Sequence, residues 1–144
     1  MVCEFPTITA NDDQMQEILE SVKTIAVLGL SPDESKDSNR VARYLQSKGY
    51  KIIPVYPKDK VDILGEKVYT CLSDVPQGVD MINIFRKADA LDAIADEAIA
   101  RGDVKVFWAQ KGIVNNAAAK KAEEAGMKVV QNRCSMVEHY KMIG

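Results

Sequence analysis

Cysteine and histidine are scarce in this chain. Its 144 residues include three cysteines and a single histidine. Cys3, Cys71 and Cys134 are far apart and include no C-x-x-C pair, which argues against a disulfide framework. With one histidine and widely spaced thiols, a zinc site is not expected either.

Long apolar runs and an excess of one charge are also missing. No apolar run approaches the roughly 18 residues that a membrane-spanning helix needs. The first six residues, Met1 to Pro6, lack the basic and apolar regions of a secretory signal. The formal net charge of −2 at pH 7 gives no general attraction to nucleic acid or anionic lipid. We therefore expect a cytoplasmic, single-domain protein over residues 1–144 that binds neither nucleic acid nor membrane.

What the chain does contain is a regular alternation of helices and apolar strands. An amphipathic helix over residues 11–23 places Met15, Ile18, Leu19 and Val22 on one face. Strands are predicted at 24–29, 50–55, 80–85, 104–108 and 128–131, and later helices end at Gly49, Gly102 and Gly126. This alternation predicts an α/β, Rossmann-like, doubly wound parallel five-stranded sheet with an N-terminal helix. The expected strand order is 3-2-1-4-5.

The carboxyl ends of parallel strands are where ligands bind in such folds, beside the point at which strand order reverses. With the order 3-2-1-4-5, that point lies between the first and fourth strands. The segments expected to converge there are Gly29-Leu30-Ser31, Val55-Tyr56-Pro57-Lys58, Phe85-Arg86, Gln110-Lys111-Gly112 and Asn132-Arg133-Cys134.

Two of these strand ends distinguish between nucleotides. Gly29 permits a tight turn and close approach of a phosphate, but Ser31 replaces the second glycine of the G-x-G-x-x-G fingerprint. After the second strand stands Lys58, where NAD sites carry an acidic residue for the ribose hydroxyls. A cation there suits the 2′-phosphate of NADP or the 3′-phosphate of coenzyme A. A solvated surface lysine is the alternative, and Lys60 is a second candidate for the phosphate.

Other polar residues near the strand ends have two interpretations each. Ser38 can donate a hydrogen bond to a pyrophosphate that Arg40 also reaches, although helix arginines are usually only solvated. Arg86 either contacts a ligand or makes a surface ion pair. Cys134 either meets a ligand thiol or is a buried, inert thiol. His139 has no Ser or Asp partner at triad spacing, and no convincing catalytic constellation is found.

Several segments of the chain resemble, in the same order, segments of the CoA-binding domain family. They are Ile25–Ser31, Arg40–Leu45 with Gly49-Tyr50, Ile53–Pro57, Leu64–Tyr69, Asp80–Arg86, Gln110–Ile113 and Asn132–Cys134. Tyr56 stands where the family commonly has asparagine. The pattern is also similar to the N-terminal domain of the succinyl-CoA synthetase α subunit. That enzyme's catalytic histidine sits on a further domain, and His139 does not match it, so the resemblance carries no enzyme activity over.

The resemblance implies non-catalytic binding of coenzyme A or acyl-CoA across the strand ends. The diphosphate would lie near Ser31 and Ser38–Val41, and the adenosine phosphate near Lys58. The pantetheine arm would run past Phe85 and Gln110 towards Asn132 and Cys134. The complete predicted cofactor site is Gly29, Leu30, Ser31, Pro32, Ser38, Arg40, Val41, Val55, Tyr56, Pro57, Lys58, Phe85, Arg86, Gln110, Lys111, Gly112, Asn132 and Cys134. No catalytic or metal-binding residue is predicted.

Three alternatives stay open from the sequence. The chain can be an NADP-binding, reductase-like protein or an accessory subunit of an acyl-CoA ligase. Cys134 can form a mixed disulfide with coenzyme A. The sequence also leaves open a protein partner, a homo-oligomer and the identity of any acyl group.

Overall fold

The computed structural model describes residues 5–57 and 62–144. Within these residues five strands alternate with helices. The strands are β1 (Thr24–Leu28), β2 (Lys51–Val55), β3 (Met81–Ile84), β4 (Val106–Ala109) and β5 (Lys128–Val130). The α-helices are α1 (Asp12–Ser21), α2 (Asp37–Ser47), α3 (Leu91–Arg101), α4 (Asn116–Glu124) and α5 (Ser135–Met142).

All five strands pair in parallel in one sheet, and α1 precedes it. The predicted Rossmann-like α/β fold with an N-terminal helix is therefore confirmed. The predicted strand order is wrong: the sheet runs β2-β1-β3-β4-β5 instead of 3-2-1-4-5. Strand order therefore reverses between β1 and β3, and not between β1 and β4, which moves the expected ligand crevice to that pair.

The outer edge of β2 is occupied by a short connecting segment, which leaves no place there for β3. Tyr56 N donates to Tyr69 O at 2.9 Å, and Tyr69 N donates to Pro54 O at 3.0 Å. Pro54 has no backbone N–H, and a proline inside a strand is tolerated at a sheet edge. Its place in β2 was the sequence signal for an edge strand.

Asp80 attaches the start of β3 to the start of β1. Its Oδ2 accepts hydrogen bonds from the backbone N–H of Lys23 at 2.9 Å and of Thr24 at 3.1 Å. Asp80 N also donates to Thr24 O at 3.0 Å. These three bonds align the two strands, so that Ile25 pairs with Met81 and Leu28 with Ile84.

The sheet is buried on both faces, as its apolar strands predict. On one face α3 and α4 contribute small residues, including Ala95 and Ala119, which pack in one cluster with Ile82 and Phe107. On the other face α1 and α2 pack with Trp108 and neighbouring strand residues. The helix α5 also packs against α1 and α2.

The helix α5 was not predicted from the sequence. Its eight residues place Ser135, Glu138 and His139 in buried positions, while Val137 and Tyr140 are exposed. Because the inward-facing side chains are polar and the outward-facing ones apolar, the usual amphipathic pattern is inverted and gives no helix signal. Among the described residues, no helix is both long and apolar enough to cross a membrane.

Candidate functional site

The turn after β1 is built so that only glycine fits. Gly29 has φ +86° and its N–H donates to Val55 O at 2.8 Å. A Cβ on Gly29 would lie 2.6 Å from the carbonyl oxygen of Phe85 and 3.0 Å from Cδ of Arg86. The turn therefore brings the ends of β1, β2 and β3 into contact, and the side chain of Arg86 lies beside it.

The loop that follows is held by two side chains from the first turn of α2. Ser31 N donates to Ser38 Oγ at 3.0 Å, and Asn39 Nδ2 donates to Ser31 O at 2.9 Å. Because Ser38 Oγ accepts this bond, its own hydroxyl proton remains available for a ligand oxygen. Ser31 Oγ accepts from Asp33 N at 3.1 Å, which shapes the outer part of the loop. Sequence reasoning missed Asn39, whose buried Oδ1 has no hydrogen-bond partner among the described residues.

The start of α2 faces this loop with its backbone donors free of a side-chain cap. Lys36 occupies the N-cap position and makes no capping hydrogen bond, and α2 runs for eleven residues from Asp37. Uncapped amides and the helix dipole favour an anion at this end.

The predicted ligand contacts on α2, on the loop before it and at the end of β2 include both exposed and buried residues. Arg40 forms an exposed ion pair with Asp37 at 2.7 Å, so its guanidinium lies on the helix surface and not over the turn. Val41 is 1 % exposed and Val55 is 6 % exposed. Both side chains belong to the core, so they do not reach the surface at the strand ends. Leu30 is likewise buried, whereas Pro32 is exposed on the loop.

Beyond β2 the structure describes only part of the predicted segment. Tyr56 is half-buried beside the Tyr69 segment, and Pro57 is exposed. Lys58 and Lys60 lie outside the described residues, as does Cys3.

The side chain of Gln110, a predicted ligand contact, is used inside the protein. Its Oε1 accepts from Asn83 Nδ2 at 3.1 Å and from Ser135 N at 3.3 Å. Ser135 Oγ donates to Asn83 Oδ1 at 2.7 Å. Asn83 and Ser135 are fully buried, and Gln110 is 6 % exposed. This Asn83–Gln110–Ser135 network joins β3, β4 and α5 directly beneath the carboxyl edge.

Sequence reasoning missed Asn83 and Ser135. Asn83 is the single polar residue of the strand Met81–Ile84 and was the available signal. A buried amide needs partners, so a polar residue inside an apolar strand indicates a buried network.

The loops after β4 and β5 are fastened to each other at the far side of the same edge. Gly112 N donates to Asn132 Oδ1 at 2.8 Å, and Asn132 itself has φ +61°. Trp108 is a core residue, and its Nε1 donates to Arg133 O at 2.9 Å. Cys134 follows at the N-cap position of α5 and is partly exposed.

A cleft with a volume of about 370 Å³ opens between these two loops and α5. Its lining includes Lys111, Arg133, Cys134, Glu138 and Lys141. We call it the β5 cleft. It lies three strands away from Gly29 along the carboxyl edge, because Gly29 follows β1 and the cleft lies beside the end of β5.

His139 does not belong to the strand-end site. It is 3 % exposed, its Nδ1 lies 2.9 Å from the hydroxyl of Tyr44, and its ring packs edge-on against Tyr50. Burial, with a smaller contribution from Lys48, lowers the pKa of His139 below its ordinary value. The ring therefore stays neutral near pH 7 and serves the packing of α5 against α2. Within the described part of the chain, no three His, Cys, Asp or Glu side chains form a group that could hold a metal ion.

A comparison with protein families assigns most of this architecture to one family. Residues 23–140, from just before β1 to within α5, match a model described as a CoA binding domain. The chain belongs to the CoA binding domain family. The matched residues include every described segment of the strand-end site.

Individual relatives agree with this assignment. The chain is 37 % identical over 126 residues to the uncharacterized protein YneT of Bacillus subtilis, covering 88 % of this chain and 92 % of that protein. It is also similar to a solved structure, a hypothetical protein from Pyrococcus horikoshii. The two are 38 % identical with a TM-score of 0.90, and the match covers 100 % of both chains.

A third relative is a much longer protein. An ADP-forming acetate–CoA ligase of Archaeoglobus fulgidus is 29 % identical over 124 residues, which cover 85 % of this chain and 17 % of the ligase. This chain of the CoA binding domain family is thus related to one part of an acyl-CoA ligase.

Proposed function

We propose that this protein binds coenzyme A or acyl-CoA without catalysing a reaction, at the carboxyl ends of its parallel strands. The observation that carries the proposal is the set of backbone and side-chain donors that meet where the strand order reverses between β1 and β3. There the Gly29 turn, the loop at Ser31 and the uncapped start of α2 come together. Membership of the CoA binding domain family supports coenzyme A as the ligand.

The diphosphate of the ligand would lie over the Gly29 turn and the first turn of α2. Its oxygens would accept from the free amides of α2 and from the hydroxyl of Ser38. Arg86 is exposed and already packs beside Gly29, so a small side-chain movement brings its guanidinium to a phosphate. Arg40 is less suited, because it would first have to leave Asp37.

The remainder of the ligand would follow the carboxyl edge in both directions. Towards β2 the adenosine phosphate would meet Lys58. Towards β5 the pantetheine arm would pass Phe85 and the backbone around Lys111 and Gly112, and the thiol would end near Asn132 and Cys134. Gln110 supports this path from below, since its side chain is committed to Asn83 and Ser135.

Calorimetric titration with coenzyme A, dephospho-CoA and NADP tests the proposal. We expect coenzyme A to bind and dephospho-CoA to bind about tenfold more weakly, because the charge-assisted contact to the missing phosphate contributes about 1.5–3 kcal/mol. NADP should bind more weakly than either. Equal binding of coenzyme A and dephospho-CoA would remove the role of Lys58. Absence of binding by both would refute the proposal, and preferential binding of NADP would favour a reductase-like protein.

A second candidate function is supported by the similarity to the ligase. In that case the protein would be an accessory subunit that presents coenzyme A to separate catalytic subunits. Purified protein would be added to ligase subunits that lack their own CoA binding domain, and acyl-CoA formation would be measured. Restored activity would establish the subunit role; its absence, with coenzyme A binding intact, would leave the stand-alone binding protein.

A further inference from the structure

The β5 cleft carries an excess of positive charge that the binding of plain coenzyme A does not use. Lys111 and Lys141 line it, together with Arg133. Within residues 5–57 and 62–144, neither lysine forms an ion pair with a carboxylate. The one acidic side chain of the lining, Glu138, is 7 % exposed and lies 3.9 Å from Arg133.

The side chains that line the cleft carry a net positive charge. Arg133 and Glu138 offset each other, so the two lysines have no counter-charge from the described part of the chain. Their ammonium groups lie at the ends of long, exposed side chains, so both can contact the same anionic group.

The position of the cleft selects which part of the ligand would reach it. β5 lies three strands away from β1, about 14 Å at a spacing of about 4.8 Å per strand. A ligand whose diphosphate sits at Gly29 and whose arm follows the strand ends towards β5 presents its acyl end here. The volume of about 370 Å³ leaves room for a short acyl chain beyond Cys134.

We infer that the β5 cleft binds the free carboxylate of an acyl group, so that the preferred ligand is the CoA thioester of a short dicarboxylic acid. This inference rests on the proposed function and names its ligand class. An apolar acyl group of the same length would leave the two lysines unpaired and gain nothing from them.

Titration with glutaryl-CoA and valeryl-CoA tests the inference, because these thioesters have acyl chains of five carbons and differ in the terminal carboxylate. We expect glutaryl-CoA to bind about tenfold more tightly than valeryl-CoA at low salt, with the preference shrinking as ionic strength rises. The double variant Lys111→Met/Lys141→Met should reduce the preference to less than threefold, because it weakens the binding of glutaryl-CoA more than that of valeryl-CoA. The control Lys105→Met/Lys120→Met removes two exposed lysines outside the cleft and should keep the full preference.

Three other outcomes would contradict the inference, the proposed function or both. Equal affinity for the two thioesters would overturn the inference while leaving the proposed function standing. If the double variant weakens coenzyme A but not dephospho-CoA, the cleft holds the adenosine phosphate, and the inference is likewise overturned. If coenzyme A and both thioesters fail to bind, the proposed function and the inference fall together.

Discussion

Gly29 meets two separate constraints that a side chain cannot satisfy. Its φ of +86° disfavours any residue with a Cβ, and that Cβ would approach the Phe85 carbonyl oxygen to 2.6 Å. Gly102 has a similar φ of +80° but open space around its missing Cβ. Alanine substitutions at the two glycines therefore separate the energetic cost of the backbone conformation from that of the steric contact.

We expect Gly29→Ala to destabilise the protein more than Gly102→Ala does. The conformational cost alone is about 1–2 kcal/mol, and the clash adds a further amount of about 1–3 kcal/mol. Urea unfolding of both variants measures the difference, and titration measures coenzyme A binding. Gly102→Ala should bind normally and Gly29→Ala should bind weakly. Equal free energies of unfolding for the two variants would show that the backbone at Phe85 moves away from the added Cβ at no cost in free energy.

Cys134 is the cysteine placed where a ligand thiol would end. It is partly exposed and lines the β5 cleft, whereas Cys71, also partly exposed, lies 3.2 Å from Ser73 Oγ, before β3. The two thiols therefore provide a matched pair for a chemical test.

Incubation with CoA disulfide should modify Cys134 selectively. The Cys134 thiolate attacks one sulfur, the CoA–CoA disulfide breaks, a Cys134–CoA disulfide forms, and one coenzyme A thiolate leaves. With Cys3 replaced by serine throughout, intact-protein mass spectrometry should find one adduct on the parent protein and on Cys71→Ser, and none on Cys134→Ser. An adduct that persists in Cys134→Ser would contradict this placement of the ligand thiol.

At the scale of elements, the Asn83–Gln110–Ser135 network fixes α5 to the strands. Asn83 lies in β3, Gln110 directly follows β4 and Ser135 begins α5. The hydroxyl of Ser135 donates to Asn83 Oδ1 at 2.7 Å in a fully buried position. Ser47 offers a comparison, because its hydroxyl donates to Tyr44 O at 2.6 Å on the exposed side of α2.

Ser135→Ala should lower the free energy of unfolding by about 1–3 kcal/mol, because Asn83 Oδ1 is left buried without a donor. Ser47→Ala should change it by about 0.5 kcal/mol or less, since water replaces the lost donor. Denaturant unfolding compares the two. A similar small change in both variants would mean that a water molecule substitutes for the Ser135 hydroxyl.

The packing of α5 against α2 depends on a neutral imidazole. Burial lowers the pKa of His139 in the folded protein, whereas in the unfolded chain it has the ordinary value of about 6.5. The unfolded state therefore binds a proton more readily. The stabilisation is complete above about pH 6.5 and is lost as pH falls towards the folded-state pKa.

The free energy of unfolding should therefore decrease between about pH 7 and pH 5, where His139 is the only imidazole that titrates. The variant His139→Gln should flatten this slope. Tyr44→Phe is the control: it removes the hydrogen bond to the ring but leaves the burial, so the slope should persist. A slope that is unchanged in His139→Gln would assign the pH dependence to other groups.

At the scale of the whole molecule, ligand binding and stability are linked. The proposed ligand contacts the ends of several strands and the start of α2, so it should bind only the folded chain. Coenzyme A at a hundredfold excess over its Kd should therefore add about 2.7 kcal/mol to the free energy of unfolding. Thermal unfolding at increasing ligand concentration measures this as a progressive rise in Tm. No rise in Tm at saturating coenzyme A would contradict specific binding to the native fold.

The sequence by itself determined the elements that local patterns report. The apolar runs marked all five strands, and the periodic apolar faces marked the helices up to α4. Gly29 marked the turn that the structure places against Phe85. These features are readable because burial of a strand or of one helix face constrains residues that are close together in the sequence.

The tertiary structure alone decided the strand order, the role of Gln110 and the β5 cleft. Strand order depends on bonds between distant residues, such as those that the backbone N–H groups of Lys23 and Thr24 donate to Asp80, which no local period encodes. Asn83 and Ser135 are both far from Gln110 in the sequence, and only folding brings them to it. The turn at Gly29 was thus visible in the sequence, but the neighbour that makes its glycine necessary was chosen by long-range pairing.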